Sequence, residues 1–201
     1  MKRLFTNFFF ILVTSPVEFI SNISLKRKMS KQDRNNLLTT LPDLKAELFL
    51  SYEDMKFEGA LINTSIGWYE LASYNIEEKN GTFSKVHLHL SDFVTIHEQD
   101  HEESYAVIRG IFQHKGNNKK YYVFVVVDWF ENTEREHPLL KCPLYRLQTR
   151  NQWRRIFPIS VIDNVQKVHF IHDCNSEGCR DRHHDDINRN WIKNSFYFTA
   201  I

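Results

Sequence analysis

This sequence predicts a mainly β fold with few short helices, and three observations predict it. Aromatic residues make up 14% of the chain, with 16 Phe, 8 Tyr and 4 Trp, and such rings favour pleated, half-buried surfaces. From Gly59 onward the chain passes through short β-branched and aromatic segments separated by turn residues: GALINTSIGWYELASY, FSKVHLHLSDFVTI, SYAVIRGIFQ, KKYYVFVVVDWF, VQKVHFIH and IKNSFYFTA. Two of these segments flank HKGNN and read as a β-hairpin. A barrel or a sandwich with few helices satisfies that pattern.

The 201 residues suffice for one domain with a sizeable core. With a net charge of +1, the chain as a whole is not drawn to nucleic acid, so such a role would need a local patch. Three cysteines are too few for a disulfide scaffold and suit a reducing compartment.

The opening MKRLFTNFFFILVTSPV has the basic start and short apolar run of a secretory signal. Its unbroken apolar stretch from Phe8 to Val13 is too short to cross a bilayer, and Thr14-Ser15-Pro16 offers no small-x-small cleavage site. If residues 1–24 were a true signal the protein would be secreted, and sequons at Asn22, Asn63 and Asn80 would suit that fate. Met29, by contrast, opens MSKQDRNN, which itself reads like a natural start. Residues 1–36, ending in the polar run KRKMSKQDRNN, are expected to be a disordered or signal-like extension. A single β-rich domain is expected over residues 37–201.

Thr40-x-x-Asp43, with Pro42 between them, marks a helix start. Leu44, Leu48 and Met55 then share one helical face, which predicts a short helix over 42–50. Further on, Val86, Leu88 and Leu90 alternate with His87 and His89, the period of a half-buried strand. YYVFVVV is apolar throughout, as in a central strand covered on both faces.

Ile96 to His101, IHEQDH, contains His97-Glu98-x-x-His101. In zinc peptidases two such histidines sit one helical turn apart and the glutamate serves as general base. Here the intervening residues are Gln99 and Asp100, Glu102 and Glu103 follow, and the β-branched run DFVTI leads straight in. The context therefore predicts a solvated acidic loop after a strand, with a zinc-dependent hydrolase as the alternative.

A second cluster, HFIHDCNSEGCRDRHH, places His172, Cys174, Cys179 and His184 within thirteen residues, with His183 beside them. Two thiolates and two neutral imidazoles would cancel the charge of one zinc ion, as in a closed structural site. A free-thiol polar loop and a Cys174–Cys179 disulfide fit the same residues. Cys142 stands apart and reads as a buried small apolar residue. Arg146, Arg150, Arg154 and Arg155 in YRLQTRNQWRR, with Tyr145 and Trp153, form a compact basic-aromatic patch that suits phosphates or an acidic protein, or simply a solvated face. Neither a phosphate-binding Gly loop nor a nucleophile elbow is present in the sequence, no small-molecule substrate or membrane partner is evident, and no catalytic residue is assigned.

From about residue 91 onward the order of segments resembles a bromo-adjacent homology (BAH) domain. Asp92-Phe93-Val94 opens a strand as in that family's D-x-V step, and SYAVIRGIFQ and KKYYVFVVVDWFENT follow. Then come PLYRLQTRNQWRRIFPISVIDNV, KVHFIHDC and NWIKNSFYF. Trp129-Phe130-Glu131-Asn132-Thr133 is similar to the family's Trp-aromatic strand end, and Phe157-Pro158-Ile159 to its Pro step before a valine strand. The chain departs from the family in lacking Arg-Pro after the Trp-aromatic pair and in carrying the Cys/His insertion. It also looks like the Cys/His-tailed products of fungal mobile elements.

The resemblance implies a BAH-like, partly open β-barrel without catalysis, working in the nucleus on a chromatin protein, a histone tail or nucleic acid. It also implies an aromatic cage for methylated lysine at Trp129, with Tyr105 or Tyr122 and the carboxylate of Glu131; a core Trp at a strand end is the competing expectation. The function expected is thus a non-enzymatic interaction module with a structural zinc site. The alternatives are the zinc hydrolase and an inactive mobile-element fragment.

Overall fold

The hairpin anticipated around HKGNN is the spine of the molecule. In the computed structural model, which describes residues 20–41, 43–57, 65–77, 81–97, 103–148, 154–163, 168–172 and 190–194, its arms are β5 (Glu103–Lys115) and β6 (Tyr121–Glu136). They pair antiparallel from Tyr105↔Phe130 to Lys115↔Tyr121. The turn closes with two backbone bonds, Gly116 N–H donating to Lys120 O and Lys119 N–H to Gly116 O, both 2.9 Å. Lys119 takes a φ of +66° there.

Around this spine the other strands are β1 (Ile20–Lys28), β2 (Gly67–Glu77), β3 (Phe83–His89), β4 (Phe93–His97), β7 (Pro143–Gln148), β8 (Ile156–Pro158), β9 (Ile162–Asp163), β10 (Phe170–His172) and β11 (Asn190–Lys193). They form one sheet in the order β1-β2-β5-β6-β7-β11-β10, with every pairing antiparallel. β3 pairs with β2, β4 with β5 and β9, and β8 with β6. Among the described residues the fold is mainly β with two helices, in the predicted class, and the sheet stays open and is not closed into a barrel. A 3-10 turn at Ile159–Val161 separates β8, which pairs with β6, from β9, which pairs with β4.

Alternation along β6 explains its unbroken apolar run. Val123, Val125, Val127 and Trp129 point into one core with Ile96, Ile108, Ile111 and Phe157. Phe124 and Val126 point the other way into a second core, and Phe130 into a third. Both faces are covered, so neither needs polar residues. The register between β5 and β6 shifts by one at Arg109, between Ile108↔Val127 and Gly110↔Val126. This β-bulge shifts the phase of β5: Ala106 and Ile108 face the first core before it, and Ile111 faces it after. At Gly110 an added Cβ would meet Leu37 Cδ2 at 2.6 Å and Trp68 at 3.0 Å, so a side chain there would displace the tip of Leu37 and crowd the Trp68 ring.

α1 (Lys31–Thr39) is capped by Ser30, which accepts from the Asp33 amide, and α2 (Leu44–Asp54) by Asp43, which accepts from the Ala46 amide. α2 begins where the sequence predicts and runs one turn further than the expected 42–50. Leu48 and Tyr52 are buried in the second core, with Leu44 and Met55 packed against it. The N-terminal expectation needs a correction. Residues 20–28 form β1, paired with β2, and 31–39 form α1, so much of the supposed extension belongs to the fold. The polar run KRKMSKQDRNN misled because its first three residues end the edge strand β1 and its last six open α1, which buries none of its residues. Residues 1–19 lie outside the described residues.

The last strands curl back over the spine. Phe170 of β10 stacks on Phe130 of β6 with ring centroids 4.2 Å apart and planes at 5°, although β10 lies three strands away in the ladder. A flat sheet would separate them by about 14 Å. The curl assembles a third core of Tyr105, Val107, Phe130, Tyr145, Leu147, Phe170 and Trp191.

Candidate functional site

The residues singled out in the sequence do not converge. Trp129 is 8% exposed, its Nε1 donates to the Arg154 carbonyl at 2.7 Å, and its ring meets Phe157 edge-on. It is a core residue of the first cluster. Tyr105 pairs across from Phe130 and faces the third core, opposite to the face Trp129 takes, because adjacent strand positions alternate. Tyr122 pairs with His114 near the turn end of the hairpin, about 25 Å along the strand from Tyr105. Glu131 is exposed and accepts from Gln148 Nε2. The expected cage of Trp129, Tyr105, Tyr122 and Glu131 is therefore not assembled.

The basic patch is also dismantled. Arg155 is 2% exposed: Nη2 lies 2.6 Å from Asp128 Oδ1, Nε donates to Val127 O at 3.1 Å, and Nη1 to Thr40 O at 2.7 Å. Arg109 Nε holds the other oxygen of Asp128 at 2.7 Å. Arg154 Nη2 sits 2.5 Å from Asp54 Oδ2 and donates to Ser51 Oγ. Arg154 thus ties α2 to the start of β8, and Arg155 ties the end of α1 to β6. Of the four, Arg146 is exposed on β7, and Arg150 lies outside the described residues.

His97 closes β4, its backbone opposite Glu103. The first residue of His97-Glu98-x-x-His101 is thus strand, as the β-branched lead-in implies, whereas a zincin needs both histidines on one helix. Glu98 and His101 lie outside the described residues. His172 ends β10 and faces Trp191 of β11, with its ring 5.5 Å from the Trp191 ring. Cys174, Cys179 and His184, in the connection between those strands, also lie outside the described residues. Among the described residues there is no group of three or more potential metal ligands. Cys142 is buried beside Leu144 and Ile192, as expected.

What the fold does bring together is a cation, a ring and a carboxylate at the rim of the third core. The ammonium of Lys193, the last residue of β11, lies 4.0 Å from the centre of the Tyr105 ring. It is displaced towards the hydroxyl, to which it donates a hydrogen bond. That hydroxyl in turn donates to Glu103 Oε2 at 2.5 Å, and Glu103 lies 3.9 Å from the ammonium. Tyr145 meets Tyr105 edge-on at 5.7 Å. Burial and the neighbouring Glu103 hold the Tyr105 phenol well above its usual range, so it stays protonated. Burial lowers the Lys193 pKa, with Glu103 opposing the shift. The side chains of Lys193 and Glu103 are 30% and 39% exposed, so the pair contributes at most about 1 kcal/mol to stability. Its parts nonetheless form a complete receptor for an ammonium: a ring, an acceptor hydroxyl and a counter-charge.

The family described as "Domain of unknown function (DUF8590)" matches residues 52–194. The chain belongs to this family. The DUF8590 span runs from Tyr52 in α2 to Asn194 just after β11, so it takes in the buried residues of the first and third cores and the Glu103–Tyr105–Lys193 cluster, while Met29, Leu41 and Leu48 of the second core precede it. No curated protein matches the chain.

Within the DUF8590 span, sequence reasoning selected Tyr105 but missed Glu103 and Lys193. Glu103 carries a local signal, since positions two apart on a strand share a face. Lys193 carries none, because only the curl of the last strands brings it to Tyr105. The polar stripe Glu47, Ser51 and Asp54 on α2 was missed as well. Glu47 accepts from the amides of Arg155 and Ile156, and Ser51 donates to Ile156 O. Its spacing, one helical turn per step, was a readable signal.

Proposed function

We propose that this chain is a non-enzymatic, β-rich interaction module that binds a basic segment of a chromatin protein, such as a histone tail, in the nucleus. The observation that carries this reading is the Glu103–Tyr105 cluster holding an ammonium. A lysine-bearing tail offers the same group to the same donors and acceptors. The resemblance to BAH domains from about residue 91 supports a chromatin partner, and an origin in a mobile element is compatible with it. A histone tail is favoured over nucleic acid because Arg154 and Arg155 point inward to Asp54 and Asp128 and offer no phosphate contact. A structural zinc on His172, Cys174, Cys179 and His184 belongs to this reading too: the pairing of His172 with Trp191 brings the two ends of that segment onto adjacent strands.

The test is fluorescence anisotropy with labelled histone-tail peptides and the full chain. Binding is expected, weakened by salt and about tenfold weaker in Glu103→Gln, which removes the counter-charge. Absence of binding by any tail peptide to folded protein would remove the chromatin reading.

A further inference from the structure

The Glu103–Tyr105 cluster already holds a lysine, and how it does so states what it can hold. A ring face alone would suit a quaternary ammonium, which has no hydrogen to donate. Here the ammonium is displaced off the face towards the hydroxyl, donates to it, and stands 3.9 Å from Glu103. The binding is thus by N–H donation and charge together; methylation keeps the charge but removes the N–H donors one by one.

The occupant is also unlike the structural cations of this molecule. Arg155 makes an ion pair with a buried aspartate and donates to two backbone carbonyls from different elements, with 3% of its side chain exposed. Lys193 contacts two side chains at the rim, with 30% of its side chain exposed. Its flexible stem lets the ammonium swing into water while β11 stays paired with β7 and β10.

We propose that Glu103 and Tyr105 form a binding site for an unmethylated lysine side chain of a partner, and that Lys193 is its built-in competitor. This rests on the interaction-module reading and names the regulation of its site. Fixed on β11, the Lys193 ammonium is present at high effective concentration. An incoming lysine finds the site vacant only for a fraction of the time, and its apparent affinity falls by that fraction. Emptying the site therefore raises affinity for an external primary amine, and acetylation of Lys193 would do the same.

The experiment titrates Nα-acetyl-lysine amide and its Nε-trimethyl form into wild type and Lys193→Met, which keeps an aliphatic stem, with chemical shifts as the readout. The expected result is at least tenfold tighter binding of the free amine to Lys193→Met than to wild type. The gain should vanish when Tyr105→Phe is added, and the trimethyl probe should bind at least tenfold more weakly. Equal affinity of wild type and Lys193→Met, or no preference against the trimethyl probe, would overturn the proposal. If Lys193→Met does not fold, amine labelling of wild type decides: the probe should speed modification of Lys193 severalfold, and an unchanged rate would refute displacement. A lysine amide that binds Lys193→Met while histone tails bind neither protein would remove the chromatin partner and leave the ammonium site standing.

Discussion

Arg154 and Arg155 show at the scale of single residues how a side chain's role depends on what lies opposite it. In the sequence they extend a basic run; in the structure they are the polar bolts of the core. Asp128 takes Arg109 Nε at 2.7 Å on one oxygen and Arg155 Nη2 at 2.6 Å on the other. The latter is an ion pair without an aligned hydrogen bond. Removing one charge from such a buried set leaves the rest uncompensated, which outweighs what the pair itself contributes. Asp128→Asn is therefore expected to lower unfolding free energy by about 3–5 kcal/mol. Urea denaturation checks this; a loss below about 1 kcal/mol would mean water reaches Arg155. Asp128 was legible as an interruption of an apolar strand, but its partners, distant in sequence, were not.

At the scale of elements, an unbroken apolar run beside a turn announced β6 and capping chemistry announced α2, because both depend on neighbours a few residues apart. The bulge at Arg109 was not read, although Arg-Gly within an apolar run is its local trace. α2 is latched to the turn end of β5 by Tyr52, whose hydroxyl lies 2.7 Å from His114 Nδ1 in a buried cluster with Phe57, Tyr122 and Phe124. Burial lowers the pKa of His114, so its ring pairs with the Tyr52 hydroxyl in the neutral form. The unfolded chain binds a proton more readily than the folded one. The contribution is thus complete above the ordinary value of 6.5 and is lost as pH falls below it towards the folded pKa. The urea midpoint should drop between about pH 7 and pH 5, and His114→Gln should flatten that slope. An identical slope in the variant would assign the effect to other groups.

The whole molecule is organised by two long strands that share partners along their edges. β5 gives one edge to β4 and β2 in succession, and β6 gives its outer edge to β8 and β7. The three larger cores all draw residues from this hairpin, so a constraint placed in the last strands is felt in each. On the proposed reading, zinc in the β10–β11 connection tightens the curl that seats Phe170 on Phe130. Elemental analysis is expected to find one zinc per chain, lost in Cys174→Ser together with a lowered melting temperature, and kept in His97→Ala. Zinc retained by Cys174→Ser would exclude that site, and zinc lost with His97→Ala would revive the hydrolase alternative.

By itself the sequence determined the β class, the β5–β6 hairpin, the helix starting at Asp43 and the buried character of YYVFVVV. Each follows from interactions within a few residues: alternation, turn chemistry and caps. Only the tertiary structure decided that β1 joins the sheet and that Trp129 is core. It alone turned Arg154 and Arg155 inward and gave the ammonium at Tyr105 to Lys193. These depend on how far the open sheet curls and on a one-residue bulge. Such pairings over long sequence separations are set by the packing of whole faces, and no local pattern encodes them.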